Sequence, residues 1–172
     1  MKASQVRLIM VCISTMLLLA GVLGSMAEEK SLSLAEQIRS KIQQNKNISI
    51  SNLVVTDEGK GEIKLQGSTA YYGSVYLAVR EAAKFPITLV NTEIEVIPQV
   101  AKSDADIEKE IRAEIKIIQE GFSLKDIDLT VKDGDVRITG TATRKDLVDK
   151  IMNKAIWISG VVYARNEVKI LK

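Results

Sequence analysis

Val131-Lys-Asp-Gly-Asp-Val-Arg-Ile-Thr-Gly-Thr-Ala142 is the stretch that decides the fold. Ile127, Leu129 and Val131 alternate with polar residues before it turns, and Val136 and Ile138 resume the alternation after Asp133-Gly134. Asp-Gly suits a two-residue hairpin turn, because both central residues must adopt positive φ. Such a turn sets Val131 opposite Val136 and Leu129 opposite Ile138, so every apolar side chain falls on one face. A hairpin with one greasy face needs a cover, and the flanking sequence supplies it. Upstream, Ser103 and Asp104 are N-cap candidates, and Ile107, Ile111, Ile115 and Ile118 recur at helical spacing until Gly121 closes the pattern. Downstream, Val148, Ile151, Met152 and Ala155 recur at i, i+3, i+4 and i+7, a second amphipathic helix that Gly160 breaks. Val162, Ala164, Val168 and Ile170 then alternate as a last strand. The order is helix, strand, strand, helix, strand.

The same order appears earlier in the chain. Ser33-Leu-Ala-Glu36 has the form of a capping box, opening a helix that contains Leu34, Ile38 and Ile42. Leu53 and Val55 are expected to face Leu65 and Ile63 across a looser loop, Asp57-Glu-Gly-Lys-Gly61. Gly67-Ser-Thr-Ala70 falls on Gly140-Thr-Ala-Thr143 at an offset of 73, and Val75, Ala78, Val79 and Ala82 fall on Val148, Ile151, Met152 and Ala155. Glu93-Ile-Glu-Val96 falls on Glu167-Val-Lys-Ile170 at an offset of 74. The fold class expected is α+β: two tandem αββαβ units, each a small mixed three-stranded sheet with two helices on one face. Units of this size hold marginal cores, so the two are expected to pack on each other.

Composition narrows the chemistry. The 172 residues include no His, one Cys (Cys12), two Pro and 4% aromatic residues. This excludes most zinc, haem and iron–sulfur ligation, any intrachain disulfide, and the Ser-His-Asp or Cys-His nucleophile pairs. No cofactor and no metal are expected. The N-terminus reads as a secretory leader over 1–27: Lys2 and Arg7, an apolar run from Leu8 to Leu23, and small residues before a cut after Ala27. An uncleaved anchor is the competing reading, since the uncharged stretch approaches the ~20 residues that span a bilayer. The domains are then the leader 1–27, a first unit 28–98 and a second unit 99–172. Without the leader the chain holds 22 basic and 22 acidic residues. A neutral exported chain gives no support to nucleic-acid binding.

At the residues quoted, the second unit resembles the BON (bacterial OsmY and nodulation) domain. Its hairpin is similar to the family pattern V-x-x-G-x-V-x-L-x-G-x-V, with Ala155-Ile-Trp-Ile-Ser-Gly-Val161 similar to A-x-x-V-x-G-V and Asn166-Glu-Val168 to the closing strand. The first unit departs from the pattern, with Phe85-Pro-Ile-Thr88 where the family has its Gly-Val turn. The resemblance implies two tandem copies in an OsmY-like envelope protein, usually periplasmic, which binds phospholipid or supports envelope integrity and stress tolerance without catalysis.

Charge offers a hint independent of the family. Residues 104–135 carry ten acidic and five basic side chains, residues 136–172 three and eight. The basic half, with Arg144, Lys145, Lys150, Lys154 and Arg165, either attracts anionic headgroups or complements the acidic first helix of its own unit. Trp157, the only tryptophan, either faces a bilayer beside Lys150 and Lys154 or packs against the other unit if the helix ends near Ile156. Tyr71, Tyr72 and Tyr76 offer a partner surface or an inter-unit contact. Gly134, Gly140 and Gly160 are read as structural turns. Asp126/Asp128 and Asp133/Asp135 sit at strand or turn spacing, which suits solvated edges better than catalysis. The expected function is a non-enzymatic module for an anionic phospholipid surface, in the periplasm or anchored to the inner membrane by an uncleaved leader. The alternative is a periplasmic chaperone or adaptor that binds envelope proteins.

Overall fold

The computed structural model describes residues 32–121 and 124–171, with side chains outside 119–126. The expected leader lies outside the described residues, as does the Asp126 side chain. Among the described residues ten elements follow one another: α1 (Leu34–Gln44), β1 (Ser51–Gly59), β2 (Glu62–Thr69), α2 (Tyr72–Ala82), β3 (Leu89–Val96), α3 (Asp104–Gly121), β4 (Leu124–Lys132), β5 (Asp135–Ala142), α4 (Lys145–Ala155) and β6 (Tyr163–Ile170). They form two mixed sheets, β1-β2-β3 and β4-β5-β6, each with an antiparallel hairpin followed by a parallel third strand. At an offset of 73 the bounds of β1, β2 and α2 fall on those of β4, β5 and α4, and at 74 those of β3 fall on β6.

Both helix starts expected from sequence are capped by serine. The Glu36 N–H donates to Ser33 Oγ at 3.3 Å while the Ser33 N–H donates to Glu36 Oε2 at 2.8 Å. The Asp106 N–H donates to Ser103 Oγ at 3.2 Å. Each cap satisfies an otherwise orphaned helix donor, worth about 1 kcal/mol.

The second hairpin has the expected register, Val131 with Val136 and Leu129 with Ile138. Its turn residues Asp133 and Gly134 sit at φ 52° and 75°, the pair a tight hairpin turn demands. Asp104 fastens this turn to the start of α3, its carboxylate accepting the N–H groups of Asp133 and Gly134 at 2.8 and 2.9 Å.

The first hairpin departs from expectation. Val55, not Leu53, faces Leu65, and Asp57 faces Ile63. No five-residue loop forms. The chain turns on Lys60-Gly61 at φ 54° and 80°, and a bulge between Asp57 and Gly59 absorbs the extra residue. A bulge opposes two residues to one, so a count outward from the loop loses register there. The second helix of the second unit also ends early. Ala155 is its last residue and Ile156 its C-cap, five and four positions before Gly160.

The core faces follow the alternation. In the second unit Ile107, Ile111, Val136, Ile138, Val148 and Ile151 are all buried between sheet and helices. In the first, Ile38, Ile42, Ile63, Leu65, Val75 and Ala78 are their buried counterparts. Strand residues of odd number in β5 and β6, such as Arg137, Arg165 and Glu167, lie on the exposed face. From Leu32 onward the chain packs as one compact unit.

Candidate functional site at the junction of the repeats

The two repeats meet where the start of α2 lies against the loop that follows α4. The Gly73 N–H donates to the Ile156 carbonyl at 2.7 Å. A Cβ on Gly73 would lie 2.6 Å from the Trp157 ring, so only glycine lets the helix backbone sit on the indole. The Tyr71 and Trp157 rings are tilted at a centroid distance of 6.0 Å, and Tyr72 meets Tyr163 edge-on at 5.3 Å. Tyr72 and Tyr76 also pack on the second core, and Ser159 Oγ donates to the Val100 carbonyl at 2.8 Å. Desolvation, with Tyr163 beside it, pushes the Tyr72 phenol up to about 12.

Of the two positions open to Trp157, the indole takes the one against the other repeat, because the helix ends before it. It is not sealed there. Trp157 remains 38% exposed and shares an open cavity with Asn47 and Leu77. The three tyrosines likewise contribute to the contact between repeats.

The basic residues singled out by sequence do not form one cluster. Arg144 and Lys145, at the start of α4, are paired with Asp146 and Asp149, each at 2.6 Å. Arg165 lies on the far face of the sheet, where it pairs with Asp135 and its guanidinium sits 5.5 Å from the Tyr163 ring centroid. Beside it Arg137 pairs with Glu167 at 2.5 Å, and that hydrogen bond holds the Glu167 carboxyl below its usual range. These four cations are thus paired within the second repeat, but with carboxylates of α4, β5 and β6 and not with the acidic first helix, which the sequence offers as their complement. Lys150 and Lys154 differ. They lie one turn apart on the exposed side of α4, which ends two residues before Trp157. Lys150 makes no ion pair among the described residues, and the carboxylate nearest Lys154 is that of Glu114 at 3.9 Å.

Two grooves flank the junction. One, of about 290 Å³, is lined mostly by valine, isoleucine and tyrosine side chains and runs between α2 and β3, with Val162 and Tyr163 of the second repeat at its edge. The other, of about 420 Å³, lies between α2 and the pair α4 and β6, lined by Tyr76, Arg80, Lys145, Asp149, Asn153 and Asn166 together with Met152 and Ala164. Sequence reasoning missed Gly73, Arg80, Asn153 and Tyr163. Gly73 carried a readable signal: a glycine in a first helical turn between Tyr72 and Ser74, where its counterpart at the offset of 73 is Asp146. The others carried none, since their role depends on how the repeats dock. Among the described residues no group of three or more acidic or Cys side chains is placed to hold a metal, and no helix is long and apolar enough to cross a membrane.

The BON domain family model matches residues 103–172, the second repeat. No curated protein matches the chain. The chain is similar to two solved structures of CdsD, a structural protein of the Type III secretion system of Chlamydia trachomatis. For its C-terminal domain the identity is 12% over 81% of this chain and 66% of that one, with a TM-score of 0.34. For the other the identity is 15% over 80% and 62%, with a TM-score of 0.33. The chain thus spans less than two thirds of the length of either.

Proposed function

We propose that this protein is a non-enzymatic envelope protein that engages anionic phospholipid surfaces, with residues 28–98 and 99–172 as its two domains and the second making the membrane contact. BON domains are associated with phospholipid binding in envelope proteins, and the family match falls on the second repeat. The observation that carries the reading is the division among the cations. Arg144, Lys145, Arg137 and Arg165 are held closely by carboxylates of their own repeat, whereas Lys150 makes no ion pair among the described residues and Lys154 only a loose one, to Glu114 at 3.9 Å, both on the exposed side of a helix that ends just before a partly exposed Trp157. Two exposed lysines match an anionic bilayer surface, with cations at the phosphates, and the open side of the Trp157 ring suits headgroup depth. Each lysine is worth about 1 kcal/mol near an anionic surface, an attraction that salt screens. The adaptor alternative draws its surface from Tyr71, Tyr72 and the first repeat's departures from the family pattern, and of these the two tyrosines are engaged in the junction.

Co-flotation with vesicles tests the reading. Residues 28–172 are expected to float with phosphatidylglycerol-containing vesicles, not with phosphatidylcholine alone, and to be released by salt. Replacing Lys150 and Lys154 by Glu should weaken capture by at least about thirty-fold, since loss of the two cations alone removes about 2 kcal/mol and the added carboxylates are repelled. Capture that ignores salt and both substitutions would sink the assignment of these residues.

A further inference from the structure

The groove of about 420 Å³ between the repeats has a chemistry distinct from the α4 lysines. Arg80, from the first repeat, reaches it across the Tyr76 ring at 5.8 Å and makes no ion pair or hydrogen bond among the described residues. Facing it are Lys145 and Asp149, which neutralise each other at 2.6 Å. Asn166 accepts the Val168 N–H through its Oδ1 at 3.0 Å, which fixes the amide and leaves its Nδ2 to donate elsewhere. Asn153 lines the same space. The lining therefore holds one uncompensated guanidinium, an oriented amide donor, a second amide and a phenol, with its single carboxylate already engaged. A groove so composed selects a small anion rich in acceptor oxygens. Its size falls in the range of small-ligand sites, and a boundary between two folded units is where such sites concentrate.

We propose that this groove binds a phosphate group, with Arg80 as its charge partner and Asn166 Nδ2 as an orienting donor. Guanidinium matches phosphate geometrically, since its planar fork offers two parallel N–H donors. The phosphate is that of a lipid headgroup or of a free phosphate ester, and the site requires both repeats because Arg80 and the amides come from different ones.

The test is titration of the 15N-labelled chain 28–172 with inorganic phosphate, glycerol 3-phosphate and dihexanoyl phosphatidylglycerol below its micelle concentration. Saturable shifts are expected at the side-chain amides of Asn153 and Asn166. Saturation by glycerol 3-phosphate identifies a free ester as sufficient; saturation by the short-chain lipid alone identifies the headgroup. Arg80→Gln should weaken binding about tenfold or more. Asn166→Asp keeps the acceptor for Val168 and exchanges the donor nitrogen for an oxygen, so it should abolish binding with the fold intact, as an unchanged amide spectrum elsewhere would verify. The proposal is overturned by no saturable shift with any of the three probes, or by shifts that both variants leave unaltered. Vesicle capture is read separately: its loss in the Lys150→Glu/Lys154→Glu variant with groove binding unchanged shows that the two surfaces are independent.

Discussion

The two repeats share strand lengths, an 11-residue second helix and sheet order, and differ in what lies beneath. Among the described residues the second core gathers fifteen buried apolar residues and the first seven, so the first is the half that needs support. The clearest single difference is at the centre of the second helix, where Ile151 of the second repeat corresponds to Ala78 of the first. The first helices differ too, 11 residues in α1 against 18 in α3. Part of what the first repeat lacks is made up at the junction, where its Tyr72 and Tyr76 pack on the other repeat's core. The two repeats thus share a backbone plan while the larger apolar core lies in the second. The family match on residues 103–172 falls on the better-packed copy.

The comparison breaks first at the cores. Ile138→Ala should cost about 2–5 kcal/mol, since Ile138 is wholly buried and a close-packed core refills such a space only in part. Its counterpart Leu65→Ala should melt the first repeat while leaving the second folded, visible as two transitions by circular dichroism and Trp157 fluorescence in denaturant. A single shared transition in both variants would show the repeats to be one cooperative unit and end the distinction.

The junction comes next. Gly73→Ala forces a Cβ into the indole, which should cost about 1–3 kcal/mol and shift Trp157 emission to the red with helix content unchanged. An unaltered emission maximum means the indole is not held by α2.

A smaller contrast separates the hairpin tips. Gly61 and Gly134 both sit at positive φ, so alanine carries a backbone cost of about 1–2 kcal/mol at either. At Gly134 the new Cβ would also lie 2.4 Å from the Gly160 carbonyl, against 3.2 Å from Thr88 Oγ1 at Gly61. Gly134→Ala should therefore lower the denaturation midpoint more than Gly61→Ala; equal losses would mean the second tip has room to relax.

The smallest effect is a pH dependence. Tyr72 titrates near 10 when unfolded and at about 12 in the folded chain. The unfolded state loses its proton first, so this contribution is complete below pH 10 and is lost as pH rises towards 12. Denaturant midpoints of Tyr72→Phe should fall less steeply across that window than those of the parent chain.

Much of the architecture was legible because it rests on short-range rules. Asp133-Gly134 set its own hairpin register through the φ values a two-residue turn requires, and Ser33 and Ser103 marked helix starts through hydrogen bonds that reach three residues. The first hairpin was misread for the same reason. A bulge between Asp57 and Gly59 is a local exception that alternation of Leu53, Val55, Ile63 and Leu65 does not announce.

The site was far less legible. The basic character of residues 136–172 was plain, but not that Arg165 and Arg144 would be tied to carboxylates while Lys150 stood apart. Periodicity determined which face of each element is apolar, and the offset of 73 determined that the chain repeats. What only the tertiary structure decided is how one repeat sits on the other: Gly73 against Trp157, and Arg80 opposite Asn166. These residues are more than eighty positions apart, and no turn, cap or alternation links them. Their meeting depends on the shapes of two folded surfaces, which exist only after each repeat has formed.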